Sequence, residues 1–97
     1  MMQLQGVLPI LPTPFTDDGA VDEVSLRRLI DFEREVGVHG VSILGFMGEA
    51  HRLSNAERKQ VVTTVVDQAD GLFPTWVGVL AFGAAGAIEQ AREAQEL

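Results

Sequence analysis

The feature that most constrains this chain is a β-strand followed by a helix, a pattern that occurs three times in 97 residues. Apolar runs rich in β-branched residues begin near positions 6, 41 and 75, roughly 34 residues apart, and helical spacing follows each run. The predicted units are 6–37, 41–71 and 75–97. Parallel strands joined by right-handed crossovers pack their helices on the sheet. The pattern therefore predicts an α/β fold with parallel strands in the spatial order 1-2-3 and helices on one face.

The first predicted unit begins with a strand over residues 6–11, Gly-Val-Leu-Pro-Ile-Leu. Pro9 has no N–H, so this strand should lie at a sheet edge or tolerate a gap in its ladder. Pro12 and Pro14 end the strand, and Asp17 and Asp18 with Gly19 form a turn. We therefore interpret these two carboxylates as turn residues.

The first predicted helix begins after Asp22, which can cap it, and ends at Val36 before Gly37. Val21 is placed to pack against Leu26 across the helix start. Helical spacing then predicts one largely apolar buried stripe, formed by Leu26, Leu29, Ile30, Glu33 and Val36.

The second unit has the clearest turn and helix-start signals of the three. A short apolar strand over 41–45 leads into a turn that contains Gly45 and Gly48, two residues that let a backbone bend sharply. Ser54 and Glu57 have the spacing of a capping box, which predicts a helix that runs to Ala69. Its predicted buried stripe is Val61, Val62, Val65, Val66 and Ala69. Ligands of α/β proteins bind at the carboxyl ends of strands, so residues 45–51 are the predicted ligand site.

The third unit is predicted as a strand over 75–80 and an alanine-rich helix over 84–97. The glycines of residues 78–86 superficially suggest a phosphate-binding loop. A Walker loop needs Lys and then Ser or Thr after its second Gly, but Ala84 and Ala85 stand there. Ala81 also replaces the first glycine of the dinucleotide-binding pattern. We interpret this stretch as an ordinary strand-to-helix turn.

Composition limits the possible functions. One domain is expected from this length, and the formal net charge of −7 argues against nucleic acid, whose binding needs Lys and Arg. No apolar run reaches the ~20 residues of a membrane-spanning helix. The chain has no cysteine, so it needs no oxidising compartment, and we predict a cytoplasmic location.

Few side chains are candidates for chemistry. His39 and His51 flank the second strand at opposite ends, so they are not expected to share a metal ion, and no metal site is predicted. His51 lies on the predicted ligand side and can bind or transfer a proton there; Glu49 in the same loop is either a structural carboxylate or a base. Lys59, the sole lysine, falls within the second helix and is predicted to be a solvated surface residue.

Several motifs occur in an order that resembles the amino-terminal third of the dihydrodipicolinate synthase / N-acetylneuraminate lyase family. They are Gly-Val-Leu-Pro-Ile-Leu-Pro-Thr-Pro-Phe at 6–15, Asp-Gly-x-x-Asp at 18–22, Gly-Val-x-Gly at 37–40, Gly-x-x-Gly-Glu at 45–49, Leu-Ser-x-x-Glu-Arg at 53–58, and Gly78. Each motif alone is weak, but together they extend over nearly the whole chain.

The resemblance implies the first three units of a (β/α)8 barrel enzyme that joins or cleaves carbon–carbon bonds beside a 2-oxo acid such as pyruvate. In that family a lysine forms a Schiff base with the ketone, and the protonated imine serves as an electron sink. The resemblance places that lysine beyond Leu97, so no catalytic residue is expected within the chain. It implies no cofactor, and it suggests a homo-oligomer. The substrate-binding residues that it implies are Thr13, Gly45, Phe46, Met47 and Gly48, with Glu49 and His51 as possible supporting residues.

The chain departs from the family pattern at two positions. The family commonly has hydroxyl side chains where Phe46 and Met47 stand, so these residues are expected to bind a carboxylate only through their backbone N–H groups.

Two other functions remain open from the sequence. One is a non-catalytic α/β module that acts through self-association or a partner chain, and the other is an unrelated small α/β binding domain.

Overall fold

The architecture is that of a small α/β unit in a computed structural model, which describes residues 5–81 and 83–97. In chain order its elements are helix α1 (Glu23–Val36), strand β1 (Val41–Ile43), a 3-10 turn (Ala50–Arg52), helix α2 (Asn55–Ala69), strand β2 (Thr75–Val77) and helix α3 (Ala84–Glu96). Phe82, in the predicted turn over 78–86, and the first four residues of the predicted 1–97 domain lie outside the described residues.

The sheet is parallel, as predicted, with Val41 paired to Thr75 and Ile43 paired to Val77. Both strands are shorter than expected, because residues 44–45 and 78–80 leave the ladder. The ladder bonds of Val41 and Ile43 point to β2, while the N–H and C=O of Ser42 bond to the segment 7–11 on the other side. The spatial order is therefore the predicted 1-2-3.

The predicted strand over 6–11 is wrong in its extent. This segment forms only an isolated parallel bridge, between Ile10 and Ser42. Pro9 still accepts a bond from Ser42 N (2.9 Å), and Leu11 N donates to Ser42 O (2.9 Å), so the chain follows the sheet edge. Because proline has no N–H to give, the ladder cannot continue through position 9.

Helix α1 begins and ends as the sequence predicts. The Asp22 carboxylate accepts a hydrogen bond from Ser25 N at 3.0 Å, and Gly37 ends the helix with φ 82°. Leu26 and Ile30 are buried, and Glu33 lies with them. Val36 was expected in the same stripe, but it is exposed, because it projects from a flank of the helix that the core does not reach.

Helix α2 carries the complete capping box: Ser54 Oγ accepts from Glu57 N at 3.1 Å and Glu57 Oε1 accepts from Ser54 N at 2.9 Å. Its predicted apolar stripe is buried except for Val66, which is half-exposed at the outer edge of that stripe. The contact with α1 includes polar pairs, one of which joins Arg27 to Asp67 at 2.7 Å.

The core lies between the helices and one face of the sheet. Strand residues Val41 and Ile43 are buried there together with side chains of α1 and α2. The opposite sheet face is open: Ile10, Ser42 and Trp76 form a row across it by their register, and Trp76 is 54% exposed. Within the described residues, no helix is long and apolar enough to cross a membrane.

Candidate functional site

The predicted ligand turn begins where β1 ends. Leu44 has φ 60°, an unusual value for a leucine, and this conformation directs its side chain into the core instead of onto the open sheet face. The chain then turns through residues 46–49, where Glu49 N donates to Phe46 O at 3.0 Å, and continues into the 3-10 turn. The turn therefore stands at the carboxyl end of the central strand.

A buried threonine supports this turn from the neighbouring segment. The Thr13 hydroxyl donates to Gly48 O at 2.7 Å, and Thr13 is buried. A Cβ atom at position 48 would meet Leu44 N at 3.1 Å and Thr13 Oγ1 at 3.3 Å, so glycine suits this close approach. The structure thus brings two of the predicted site residues into direct contact. The Thr13 proton is used within the protein, so only the lone pairs of its oxygen remain for a ligand.

The middle of the turn offers hydrogen-bond donors. Among the residues that the structure describes, the N–H groups of Phe46, Met47 and Gly48 donate to no protein acceptor, whereas those of Glu49 and Ala50 do. Successive free N–H groups in a tight turn form a concavity that suits an anion. This arrangement has the chemistry needed to hold a carboxylate without side-chain hydroxyls.

The side chains of Phe46 and Met47 project from the turn, at 81% and 61% exposure. The Phe46 ring lies 6.1 Å from the imidazole of His51, centroid to centroid, at a tilt of 54°. Glu49 has a different neighbour, because its carboxylate pairs with Arg52 at 3.6 Å. Of the two possible supporting residues, His51 is therefore beside the turn's apolar side chain, and Glu49 takes part in a surface ion pair.

Strand β2 reaches the same end of the sheet at Gly78, whose N–H donates to Ile43 O at 2.8 Å. A Cβ atom at position 78 would lie 2.4 Å from Leu44 O, so only glycine fits. The carbonyl of Gly78 accepts from Arg58 Nη2 at 3.1 Å. Burial lowers the pKa of Arg58 below its ordinary value, and the negative charge of Glu93 opposes that effect.

A cavity of about 470 Å³ lies beside the turn, on its helix side. It combines apolar walls with polar groups from three elements, and its lining residues are Phe46, Ala50, His51, Leu53, Asn55, Arg58, Leu80 and Gln90. Sequence reasoning did not assign five of these residues to the site: Leu53, Asn55, Arg58, Leu80 and Gln90. Two of them could have been found from their positions in the sequence, since Asn55 begins α2 next to the turn and Leu80 follows the end of β2.

Two candidate residues lie elsewhere. His39 is at the opposite end of β1, where its Nδ1 accepts from Val7 N at 2.9 Å. Lys59 lies on α2 with its side chain 54% exposed and its Nζ 3.8 Å from Glu93. Among the described residues, no group of three or more His, Asp or Glu side chains is arranged to hold a metal ion.

Comparison with known proteins identifies the family. A model of the dihydrodipicolinate synthetase family matches residues 3–97. The chain belongs to this family. Among curated members, the 4-hydroxy-tetrahydrodipicolinate synthase of Stenotrophomonas maltophilia (strain R551-3) is 41% identical over 96 residues, which are 99% of this chain and 32% of that protein.

Solved structures of dihydrodipicolinate synthase relatives agree with this assignment. The dihydrodipicolinate synthase of Acinetobacter baumannii, solved in complex with pyruvate, superposes with a TM-score of 0.94 at 32% identity, over 97% of this chain and 32% of that one. The N-acetylneuraminate lyase of Mycoplasma synoviae gives a TM-score of 0.85 at 28% identity, over 94% of this chain and 32% of that one. The chain thus spans about a third of the length of these relatives.

Proposed function

We propose that this chain forms the first three βα units of a (β/α)8 barrel whose complete form is a Schiff-base aldolase or lyase for pyruvate or a related 2-oxo acid. The observation that carries the proposal is the turn 45–48 at the carboxyl end of β1, where the N–H groups of residues 46–48 donate to no acceptor among the described residues, in a chain that the family model matches over 3–97. Catalytic groups of such barrels gather at this end of the strands. We further propose a cytoplasmic homo-oligomer.

In this proposal the residues of the chain bind and orient, and the nucleophile comes from the remaining units. The N–H groups of Phe46, Met47 and Gly48 hold the substrate carboxylate, and Thr13 keeps the Gly48 carbonyl, and with it the turn, in position. Lys59 is not the nucleophile in this proposal, because its side chain is 54% exposed on α2 and its Nζ lies 3.8 Å from the carboxylate of Glu93, a partner that favours the charged form of the amine. A lysine that follows position 97 attacks the ketone, water leaves, and the iminium accepts the electron pair of the reacting carbon–carbon or carbon–hydrogen bond.

Borohydride trapping tests this division of roles. The experiment combines the 97-residue chain, by co-expression, with the part of the Stenotrophomonas maltophilia relative that follows the matched region. We expect pyruvate and borohydride to leave an adduct on a lysine of that second part and none on Lys59, read by peptide mass spectrometry. The chain alone should give no stoichiometric adduct. An adduct on Lys59, or none on the assembled protein, contradicts the proposal.

A substitution at the turn tests the role of its apolar side chains. Hydroxyl groups at positions 46 and 47 would add hydrogen bonds worth ~1.5–3 kcal/mol each to a charged acceptor. If Met47 sets specificity, Met47→Thr in the assembled protein should raise pyruvate turnover several-fold and lower turnover of larger, more apolar 2-oxo acids. If the Met47→Thr variant and the unaltered assembled protein turn over all these substrates equally, Met47 only fills space.

The second candidate function is a non-catalytic module that acts through a partner chain or self-association. The exposed apolar row across the open sheet face, with Ile10 and Trp76, favours it. Both functions need a partner surface, but only the enzyme predicts the trapped lysine adduct.

A further inference from the structure

Arg58 is a buried charge near the start of α2, with 8% of its surface exposed. The capping box of this helix needs Ser54 and Glu57 but not an arginine at position 58. In the part of the chain that the structure describes, no carboxylate oxygen lies within 4 Å of the Arg58 guanidinium. Glu93, whose charge acts on it, pairs with Lys59. Because a cation is costly to bury without an acidic partner, this one calls for a specific role.

The Arg58 side chain bonds to the chain just after β2. Its Nη2 donates to Gly78 O at 3.1 Å, while Gly78 N donates to Ile43 O at 2.8 Å. Gly78 also comes so close to Leu44 that a Cβ atom at position 78 would lie 2.4 Å from Leu44 O. Gly78 is therefore held on two sides, by the end of β1 through its N–H and by α2 through its carbonyl.

We infer that Arg58 is a positioning residue of the proposed site, which holds the chain after β2 against the end of β1 and so fixes the start of the turn 45–48. The inference rests on the proposed function. The turn begins directly after Leu44, whose φ of 60° persists only where the surrounding structure holds it. If the two strand ends separate, the N–H groups of residues 46–48 lose the common direction that a carboxylate needs.

Three variants separate the hydrogen bond from a general effect of charge. Arg58→Met keeps a long, unbranched side chain but removes both the donor and the charge. Arg58→Lys keeps a charged donor on a flexible stem. Arg52→Met is the matched control, because it removes a positive charge beside the same turn. The Arg52 side chain is 70% exposed, and its pair with Glu49 at 3.6 Å is a surface ion pair, a kind that contributes little.

The first test measures pyruvate turnover by the co-expressed assembly, with active sites counted by borohydride trapping. We expect Arg58→Met to raise KM for pyruvate about tenfold and to keep kcat within about twofold, because the turn holds the carboxylate equally before and during the reaction. Arg58→Lys should recover most of the lost affinity. Arg52→Met should leave KM within about twofold of the unaltered value.

The second test uses nuclear magnetic resonance on the 97-residue chain and needs no activity. The guanidinium protons of Arg58 should exchange with water at least about tenfold more slowly than those of Arg52, because they are buried and one of them is hydrogen-bonded. Arg58→Met should also speed the exchange of the Gly78 N–H, whose bond to Ile43 depends on the approach of the strand ends. Arg52→Met should leave that exchange unchanged.

Three results would overturn the inference. These are equal exchange of the two guanidinium groups, an unchanged KM in an Arg58→Met protein that is only less stable to urea, and a loss of kcat in place of affinity. If Arg58→Met does not assemble, the guanidinium exchange and the KM of Arg58→Lys decide. A trapped adduct with an unchanged KM rejects the role of Arg58 alone. No adduct on the unaltered assembly rejects the proposed function, and the exchange measurements then decide whether Arg58 holds the strand ends.

Discussion

The Thr13 hydroxyl shows how a single buried contact can connect the edge segment to the ligand turn. Its bond to Gly48 O, at 2.7 Å, joins residues that are 35 positions apart. Family resemblance marked Thr13 as a substrate-binding residue. The geometry gives it a definite structural contact, and its contact with substrate remains a prediction.

Loss of this hydroxyl should destabilise the protein. Thr13→Val keeps the side-chain shape but leaves Gly48 O without its partner, a change that typically costs ~1–3 kcal/mol at a buried site. We expect a lower urea midpoint by circular dichroism for the isolated chain at low micromolar concentration. Thr63→Val, at an exposed position on α2, is the control and should have little effect. Equal midpoints for Thr13→Val and the unaltered chain would show that the bond contributes nothing.

The Asp22 cap predicts a dependence on pH. The bond from Ser25 N, with a second from the Ser25 hydroxyl, lowers the pKa of this carboxyl below its ordinary value of 3.8. A lowered folded-state pKa means that the cap stabilises the protein fully above pH 3.8 and that this contribution is lost as the pH falls through the folded value.

Asp22→Asn tests this expectation because asparagine caps about as well but does not titrate. Urea midpoints of both proteins at pH 6 should be similar. Between pH 6 and pH 3 the midpoint of the variant should fall less steeply than that of the unaltered chain. Parallel pH profiles would show that the cap carries no pH-dependent stability.

At the scale of elements, helices were easier to predict than strands. The starts of α1 and α2 depend on local signals, Asp22 and the Ser54–Glu57 box, and both signals form the expected bonds. The extent of a strand depends on partners far along the chain, which local sequence does not specify. The first predicted strand is therefore reduced to one bridge beside Pro9, and β2 ends early, at Val77.

The same distinction applies to the site. The position of the ligand turn followed from two glycines after an apolar run, a local pattern. The contributions of Leu80 and Gln90 to the cavity could not be predicted, because they depend on how α3 approaches the end of β2.

The close approach of the chain just after β1 to the chain just after β2 leads to a prediction at this scale. Gly78→Ser would place a Cβ atom 2.4 Å from Leu44 O, so the two strand ends must separate, and overpacking of this kind costs ~1–3 kcal/mol. Gly83→Ser makes the same chemical change where no atom lies within 4 Å, at the N-cap of α3, where serine is favoured. Urea unfolding should show a lower midpoint for the first variant and an unchanged or higher midpoint for the second. An unchanged urea midpoint for Gly78→Ser would contradict the close contact between Gly78 and Leu44 O.

At the scale of the whole molecule, the open sheet face is the largest departure from a self-contained domain. Ile10 and Trp76 lie in one row on that face, and full burial of such side chains is worth ~1.5–3 kcal/mol each. Helices cover the other face. A sheet with one apolar face in water, next to the free edge of β2, favours association.

We therefore expect the isolated chain to self-associate as its concentration rises. Sedimentation velocity should show a growing fraction of larger species, and the double variant Ile10→Thr, Trp76→Thr should reduce it. Leu72→Thr, at an exposed leucine in the loop before β2, is the control and should leave association unchanged. A sharp, cooperative melt of a species that stays monomeric at all concentrations would contradict this expectation.

Trp76 has one more consequence, which is spectroscopic. It is the single tryptophan of a chain that contains no tyrosine, so the indole fluorescence of the protein arises from one side chain. That indole lies half in water on the face that a partner would cover. Its emission should shift to shorter wavelength when the face is covered and should stay constant when a ligand enters the cavity on the helix side. The chain therefore carries an intrinsic, label-free reporter of the covering of its sheet.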